Sequence, residues 1–302
     1  MSGPAAAGGA ARTPDPATRE ADAPPDAPLH AERRGDAART LVLLHGWALN
    51  LRVFDALSAT LARDFTVLAL DLPGHGRSIE PASLARDGWT LERLAALVAP
   101  QVPHGALVLG WSLGGQLALQ LAHAVPERVA ALVLVSTTPR FVAGDGWAHG
   151  VAPSVLAHFA KHLGTDYRAT VHDFLELQVR GSRDAAAALA TLQAALFAQG
   201  EASPAVLARS LEVLRHSDLR AALPAIDVPA LVIGGQYDRV TPPGAARALA
   251  AALPHARHHE LARCGHAPFL THEAEFGALL HGFAASLPAP RAAAATATGP
   301  RR

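Results

Sequence analysis

The sequence predicts an α/β fold: a mostly parallel sheet flanked by helices, with an all-helical lid inserted between two strands. Three observations carry this prediction. Short, β-rich apolar runs alternate with longer helical patterns, as in a parallel sheet wrapped by helices. From Arg140 to Leu223 the alternation stops and only helical patterns remain. One apolar run, ALVLGWSLGGQLALQLA, passes through a glycine-flanked serine straight into a helix.

Taken in chain order, residues 1–39 are Ala, Pro, Gly, Asp and Arg with almost no large apolar side chain. They cannot bury enough area to offset the entropy of ordering, and we expect a disordered tail. The strands are Leu41 to Leu44, Thr66 to Leu70, Ala106 to Leu109, Ala131 to Val135, Ala230 to Ile233 and, more weakly, His258 to Leu261. Each is too continuous in its apolar character for a half-exposed strand. After the first, Asn50 can cap a helix with Val53, Phe54, Leu57 and Leu61 on one face. After the second, Thr90 opens TLERLAALVAPQV; after the third, the helix LGGQLALQLAHAV is stopped by Pro126. Residues 140–223 form the lid, with PSVLAHFAKHL, DYRATVHDFLELQVRG and PAVLARSLEVLRHS as helices. Residues 40–139 and 224–287 form the core around it. Residues 288–302 repeat the composition of the first tail.

Composition narrows the function. Lys+Arg and Asp+Glu each total 26 in 302 residues, so the chain lacks the basic field that nucleic acid or an anionic membrane requires. The lone cysteine, Cys264, excludes an intramolecular disulfide framework. No run approaches the roughly 18 apolar residues of a membrane span, and the first thirty residues do not read as a secretory signal. These features predict a soluble, cytoplasmic protein, with no nucleic-acid or membrane partner and acting as a monomer.

Gly110-Trp111-Ser112-Leu113-Gly114 is the sharpest chemical motif. It lies between a strand and a helix, where a strained turn can present a serine Oγ at the top of the sheet. The helix starting at Leu113 aims free amides and a positive dipole end at any negative charge formed there. A serine hydroxyl needs a base and an orienting carboxylate, in the chain order Ser, Asp or Glu, His. Asp238, just past a buried strand in GGQYDRVTPP, could simply form a turn, but its place at a carboxyl strand end in the required order makes it the candidate acid. Asp71 is the alternative. His266, in a Gly-containing loop after the last strand, is preferred as base over His258, His259 and His272. His45-Gly46-Trp47 after the first strand completes the set, with the Trp47 and Leu113 amides as an oxyanion hole. The tract HARHHELARCGH matches no zinc spacing, and LDLPGHGRS lacks the lysine of a phosphate loop. No metal or organic cofactor is expected.

With HGW, LDLPGHGRS, GWSLGG, GGQYDRVTP and CGHAPF in this order, residues 41–287 resemble the α/β-hydrolase superfamily. GWSLGGQLALQLAHAVPERV, STTPRF, FLELQ and GHAPFLTHEAEF resemble, more narrowly, the pimeloyl-[acyl-carrier protein] methyl ester esterase family of biotin synthesis. That resemblance implies a serine carboxylesterase with Ser112, Asp238 and His266 as nucleophile, acid and base. It implies substrate contacts at Trp47, Ser112, Leu113, Phe174, Leu175, Glu176, Leu177, Gln178 and His266, and an acyl-carrier protein as partner. The alternative is a carboxylesterase of broad specificity for short acyl esters. Two departures stand out. The family begins with a strand before HGW, where this chain has the polar HAERRGDAART. The family's lid is basic, whereas here Arg140 to Arg220 holds eight Lys/Arg against eight Asp/Glu.

Overall fold

A computed structural model describes residues 27–290 and shows one seven-stranded sheet. Its strands are β1 (Ala31–Arg34), β2 (Thr40–Leu44), β3 (Thr66–Leu70), β4 (Ala106–Trp111), β5 (Val129–Val135), β6 (Ala230–Gly235) and β7 (Ala256–Leu261). They lie in the order β1-β3-β2-β4-β5-β6-β7, and every neighbouring pair is parallel except β1 with β3. The helices are α1 (Asp55–Leu61), α2 (Ala82–Asp87), α3 (Leu91–Val98), α4 (Leu113–Ala124), α5 (Pro153–Thr165), α6 (Tyr167–Val179), α7 (Ala185–Ala198), α8 (Pro204–His216), α9 (Pro243–Ala252), α10 (Pro268–Thr271) and α11 (Glu273–Ser286). Strands β2, β4, β5 and β6 are almost wholly buried, which is why they read as unbroken apolar runs rather than alternating ones. Asn50 accepts from the Arg52 amide and Thr90 from the Arg93 amide, so both helix starts are capped as their sequences require.

The first strand corrects the expected tail. Residues 27–39 belong to the fold, because β1 adds an antiparallel edge to β3 with Ala31 opposite Leu70 and Arg34 opposite Val67. Its side chains are half-buried or exposed, leaving no apolar run to read. Backbone pairing and a few anchors hold it instead: Leu29 is buried, His30 O accepts from the Asp71 amide, and Arg34 pairs with Asp55. The strand that the family resemblance calls for is therefore present. The tail segments over 1–26 and 291–302 lie outside the described residues.

Between β5 and β6 the chain leaves the sheet to form α5, α6, α7 and α8. The sequence reading found three of these and missed α7. In AAAALATLQAALFA apolar groups occupy every face, so no stripe marks a helix, and only the high propensity of alanine and leucine favours one. This helical cap is tied to the core at several points. Asn50 Nδ2 donates to Ala195 O at 2.8 Å, Trp47 Nε1 to Leu207 O at 3.1 Å, and the His266 amide to Gln178 O at 2.7 Å.

Because the six strands from β2 onward run parallel, the loops leaving their carboxyl ends gather along one edge of the sheet. That edge is where open α/β sheets bind ligands, and the cap lies over it. The loops after β2, β4, β6 and β7 carry Trp47, Ser112, Asp238 and His266.

Candidate active site

Ser112 sits at the corner between β4 and α4 with φ 56° and ψ −115°, a conformation that costs roughly 1–3 kcal/mol for a non-glycine residue. Close packing on all sides holds it. A Cβ at Gly110 would strike the Gly114 carbonyl, and one at Gly114 would strike the Leu44 and His45 carbonyls, so the motif's glycines are steric requirements. The Ser112 amide donates to Val135 O at 3.0 Å, and its carbonyl accepts from Thr137 Oγ1 at 2.7 Å.

Asp238 and His266 meet out of contact with solvent, with His266 Nδ1 2.8 Å from Asp238 Oδ2. Asp238 Oδ1 accepts from the Val240 and Thr241 amides, both at 2.8 Å, and Oδ2 also accepts from Thr241 Oγ1 at 2.8 Å. A carboxylate oxygen so placed can accept from a proton-bearing Nδ1. His266 Nε2 is then the nitrogen with a free lone pair, and it has no hydrogen-bond partner among the described residues. Trp111, next to the serine in sequence, positions this imidazole: its Nε1 donates to His266 O at 2.7 Å and the two ring centroids lie 5.6 Å apart. Sequence reading missed the parts played by Trp111 and Thr241. Their signals were present in the tryptophan of GWS and the threonine three residues past Asp238.

The His45-Gly46-Trp47 loop lies against this corner, since a Cβ on Gly46 would approach Ser112 Cβ to 3.3 Å. His45 fixes the loop: Nδ1–H donates to Gly46 O at 2.8 Å and Nε2 accepts from the Leu72 amide at 3.0 Å. Burial pushes its pKa down to about 4, keeping the ring neutral. The Leu113 amide opens α4 and has no acceptor within the helix. Trp47 is buried with its ring edge-on to Phe159 and Phe174 of the cap. Ser112 opens onto a cleft walled by Trp47, Phe141, Phe159, Phe174, Leu177 and Leu211, among others. Its apolar lining suits an aliphatic chain.

The segment Phe174 to Gln178 divides between two cavities. Phe174 and Leu177 face the cleft, while Leu175 with Val171 and His172 lines a second cavity on the opposite side of α6. Glu176 is half-exposed, near His172. Leu175 and Glu176, expected at the substrate, thus do not line the cleft, because a helix turns successive residues about 100° apart. Gln178 is buried, and neither atom of its side-chain amide has a partner among the described residues. Asp71 is committed elsewhere, accepting from the Leu51 and Arg77 amides at 2.8 and 2.9 Å. His272 likewise faces Thr271 and Ala262. Burial drives the Cys264 thiol up to about 12, which makes it inert at neutral pH.

Sheet order, corner serine and carboxylate-paired histidine together define an α/β hydrolase. The chain belongs to the alpha/beta hydrolase fold family, whose profile matches residues 39–273. Among its relatives, the pimeloyl-[acyl-carrier protein] methyl ester esterase of Nitrosomonas europaea is 42% identical over 250 residues, covering 83% of this chain and 97% of that protein. The esterase of the same name from Stenotrophomonas maltophilia is 42% identical over 247 residues, covering 82% and 93%. Among solved structures, an esterase from Exiguobacterium antarcticum superposes with a TM-score of 0.76 at 24% identity, covering 85% of this chain and 96% of that one. At that identity the likeness concerns the fold.

Proposed function

We propose that this chain is a serine carboxylesterase that hydrolyses the methyl ester of pimeloyl-[acyl-carrier protein], releasing methanol and the free terminal carboxylate. Hydrolysis of a carboxylic ester is the reaction for which its relatives at 42% identity are named, and the chain is a carboxylic ester hydrolase. The finer substrate rests on the relatives' names at 40–42% identity and on an apolar cleft that suits a methylene chain. No helix among the described residues is long and apolar enough to cross a membrane, which is compatible with a cytoplasmic enzyme working on a carrier protein.

In this reading Ser112 Oγ attacks the ester carbonyl while His266 Nε2 takes its proton. Asp238 holds the Nδ1–H tautomer and stabilises the imidazolium without itself being protonated. The Trp47 and Leu113 amides receive the oxyanion. His266 then delivers the proton to the departing methoxide, and a water molecule repeats the sequence to free the acid from Ser112.

The single observation that carries the reading is the buried Asp238–His266 pair, its Nε2 unpartnered among the described residues, tied through the Trp111 indole to the strained turn that carries Ser112. The test is turnover of a methyl pimeloyl thioester of acyl-carrier protein alongside short nitrophenyl esters, with Ser112→Ala as control. We expect the carrier-linked ester to be preferred and the variant to lose on the order of 10⁶-fold in kcat. Equal turnover of all esters supports the broad-specificity alternative. A Ser112→Ala variant keeping more than a few per cent of activity excludes the nucleophile.

A further inference from the structure

The cleft above Ser112 has an apolar wall with one charged member, Arg239. It directly follows Asp238, yet that carboxylate has no hydrogen-bonding capacity to offer it. Both Asp238 oxygens are taken by Val240, Thr241 and His266. Several arginines of the cap and its flanks are matched, Arg140 with Asp218, Arg168 with Glu201, Arg209 with Glu80 and Arg220 with Asp218, and Arg180 and Arg183, unpaired among the described residues, do not line this cleft. Arg239 is exposed, and its guanidinium makes no ion pair or hydrogen bond among the described residues.

An unmatched cation beside a low-dielectric wall projects its field into the cleft. A guanidinium also offers a planar fork that fits a carboxylate. A neutral ester draws nothing from this group. An acyl chain with a second, ionised carboxylate does, provided the chain lies along the cleft with its ester at Ser112.

We propose that Arg239 is a specificity-determining residue that selects methyl half-esters of dicarboxylic acids, making these free, carrier-less anions substrates preferred over neutral methyl esters of equal length. The proposal rests on the esterase reading of Ser112 and adds a substrate class to it. The reaction is ordinary hydrolysis: water supplies the hydroxyl of the new acid and methanol leaves with the proton from His266.

The test compares monomethyl pimelate with methyl heptanoate, which differ only in the terminal group, as kcat and KM for wild type and Arg239→Gln at low salt. In wild type the half-ester is expected to lead by roughly fivefold in kcat/KM, the upper end for a partly solvated ion pair, with the difference in KM. The lead should shrink in high salt. In Arg239→Gln the ratio of the two substrates should fall towards one, Arg239→Lys should keep part of it, and Arg239→Glu should reverse it. Continued turnover of methyl heptanoate reports an assembled site in each variant. If both esters are hydrolysed and their ratio is the same in wild type and Arg239→Gln, this proposal is overturned while the esterase reading stands. If neither shows Ser112-dependent turnover, the esterase reading fails and takes this one with it.

Discussion

The amide of His266 donates to the carbonyl of Gln178 at 2.7 Å, so the imidazole's own backbone is fastened to the last turn of a cap helix. Two neighbouring bonds reinforce it. The Gly265 amide donates to Ser182 Oγ at 2.8 Å, and the Arg183 amide donates to Arg263 O at 3.2 Å. The helical cap therefore sets the position of the proposed base, and a proton transfer needs placement to within a fraction of an ångström.

Ser182→Ala removes the acceptor for the Gly265 amide without touching any side chain of the site. We expect kcat on a short ester to fall roughly tenfold, since a misplaced base costs more than the lost bond itself, with KM and melting temperature nearly unchanged. Ser182→Thr should restore most of the loss. Steady-state kinetics with a thermal melt check this.

Asp238→Asn replaces an acceptor by an amide that can donate to His266 Nδ1 and so favours the wrong tautomer. A drop of about 10⁴-fold in kcat is expected, with secondary structure retained by circular dichroism. Near-wild-type turnover would move the acid elsewhere.

Deleting residues 1–36 strips β1 from β3, with the buried Leu29 and the Arg34–Asp55 pair. The deletion should lower the melting temperature by several degrees, on the scale of about 2–4 °C per kcal/mol for a chain of this size. A melt of the truncated chain against the full chain decides it.

Acid should destabilise the fold in a defined window. Burial lowers His45 to about 4, and burial together with the charge of His45 lowers His75 to about 3, from the usual 6.5. Below pH 6.5 the unfolded chain binds protons that the folded chain refuses, so stability is full above that point and declines as pH falls towards 4. At pH 5 the loss is about 2 kcal/mol for each ring. Urea midpoints at pH 7.5 and pH 5 should differ in that direction.

Carrier docking, if it follows charge, should involve the exposed Arg168, Arg180 and Arg183 around the α6 segment. Changing all three to Glu is expected to weaken turnover of the carrier-linked ester several-fold, mainly in kcat/KM and more at low salt. Turnover of a small free ester should hardly move. An equal loss on both substrates would make these arginines structural parts of the cap.

The residues legible in advance were those whose sequence neighbours are forced by sterics or burial. Ser112 was readable because Gly110 and Gly114 have no room for a Cβ, and the strands because two buried faces demand unbroken apolar runs. Asp238 and His266 were readable from chain order at strand ends. Strand β1 was not, because an edge strand is held by backbone pairing that leaves little trace in side chains. Helix α7 was hidden by its uniform apolarity. The division of Phe174 to Gln178 between two cavities needs the rotation of α6, which a contiguous motif does not reveal.

The bonds from Gln178 and Ser182 to the His266 loop also limit how such an enzyme can be remodelled. Residues of α5 and α8 that face the cleft, such as Phe159 and Leu211, take no part in these bonds, so substitution there can alter substrate range while the His266 loop stays fastened. A wholesale exchange of the cap is another matter. Any transplanted segment must return a carbonyl to the place of Gln178 and a hydroxyl to the place of Ser182, or the graft will fold and bind while its base points astray.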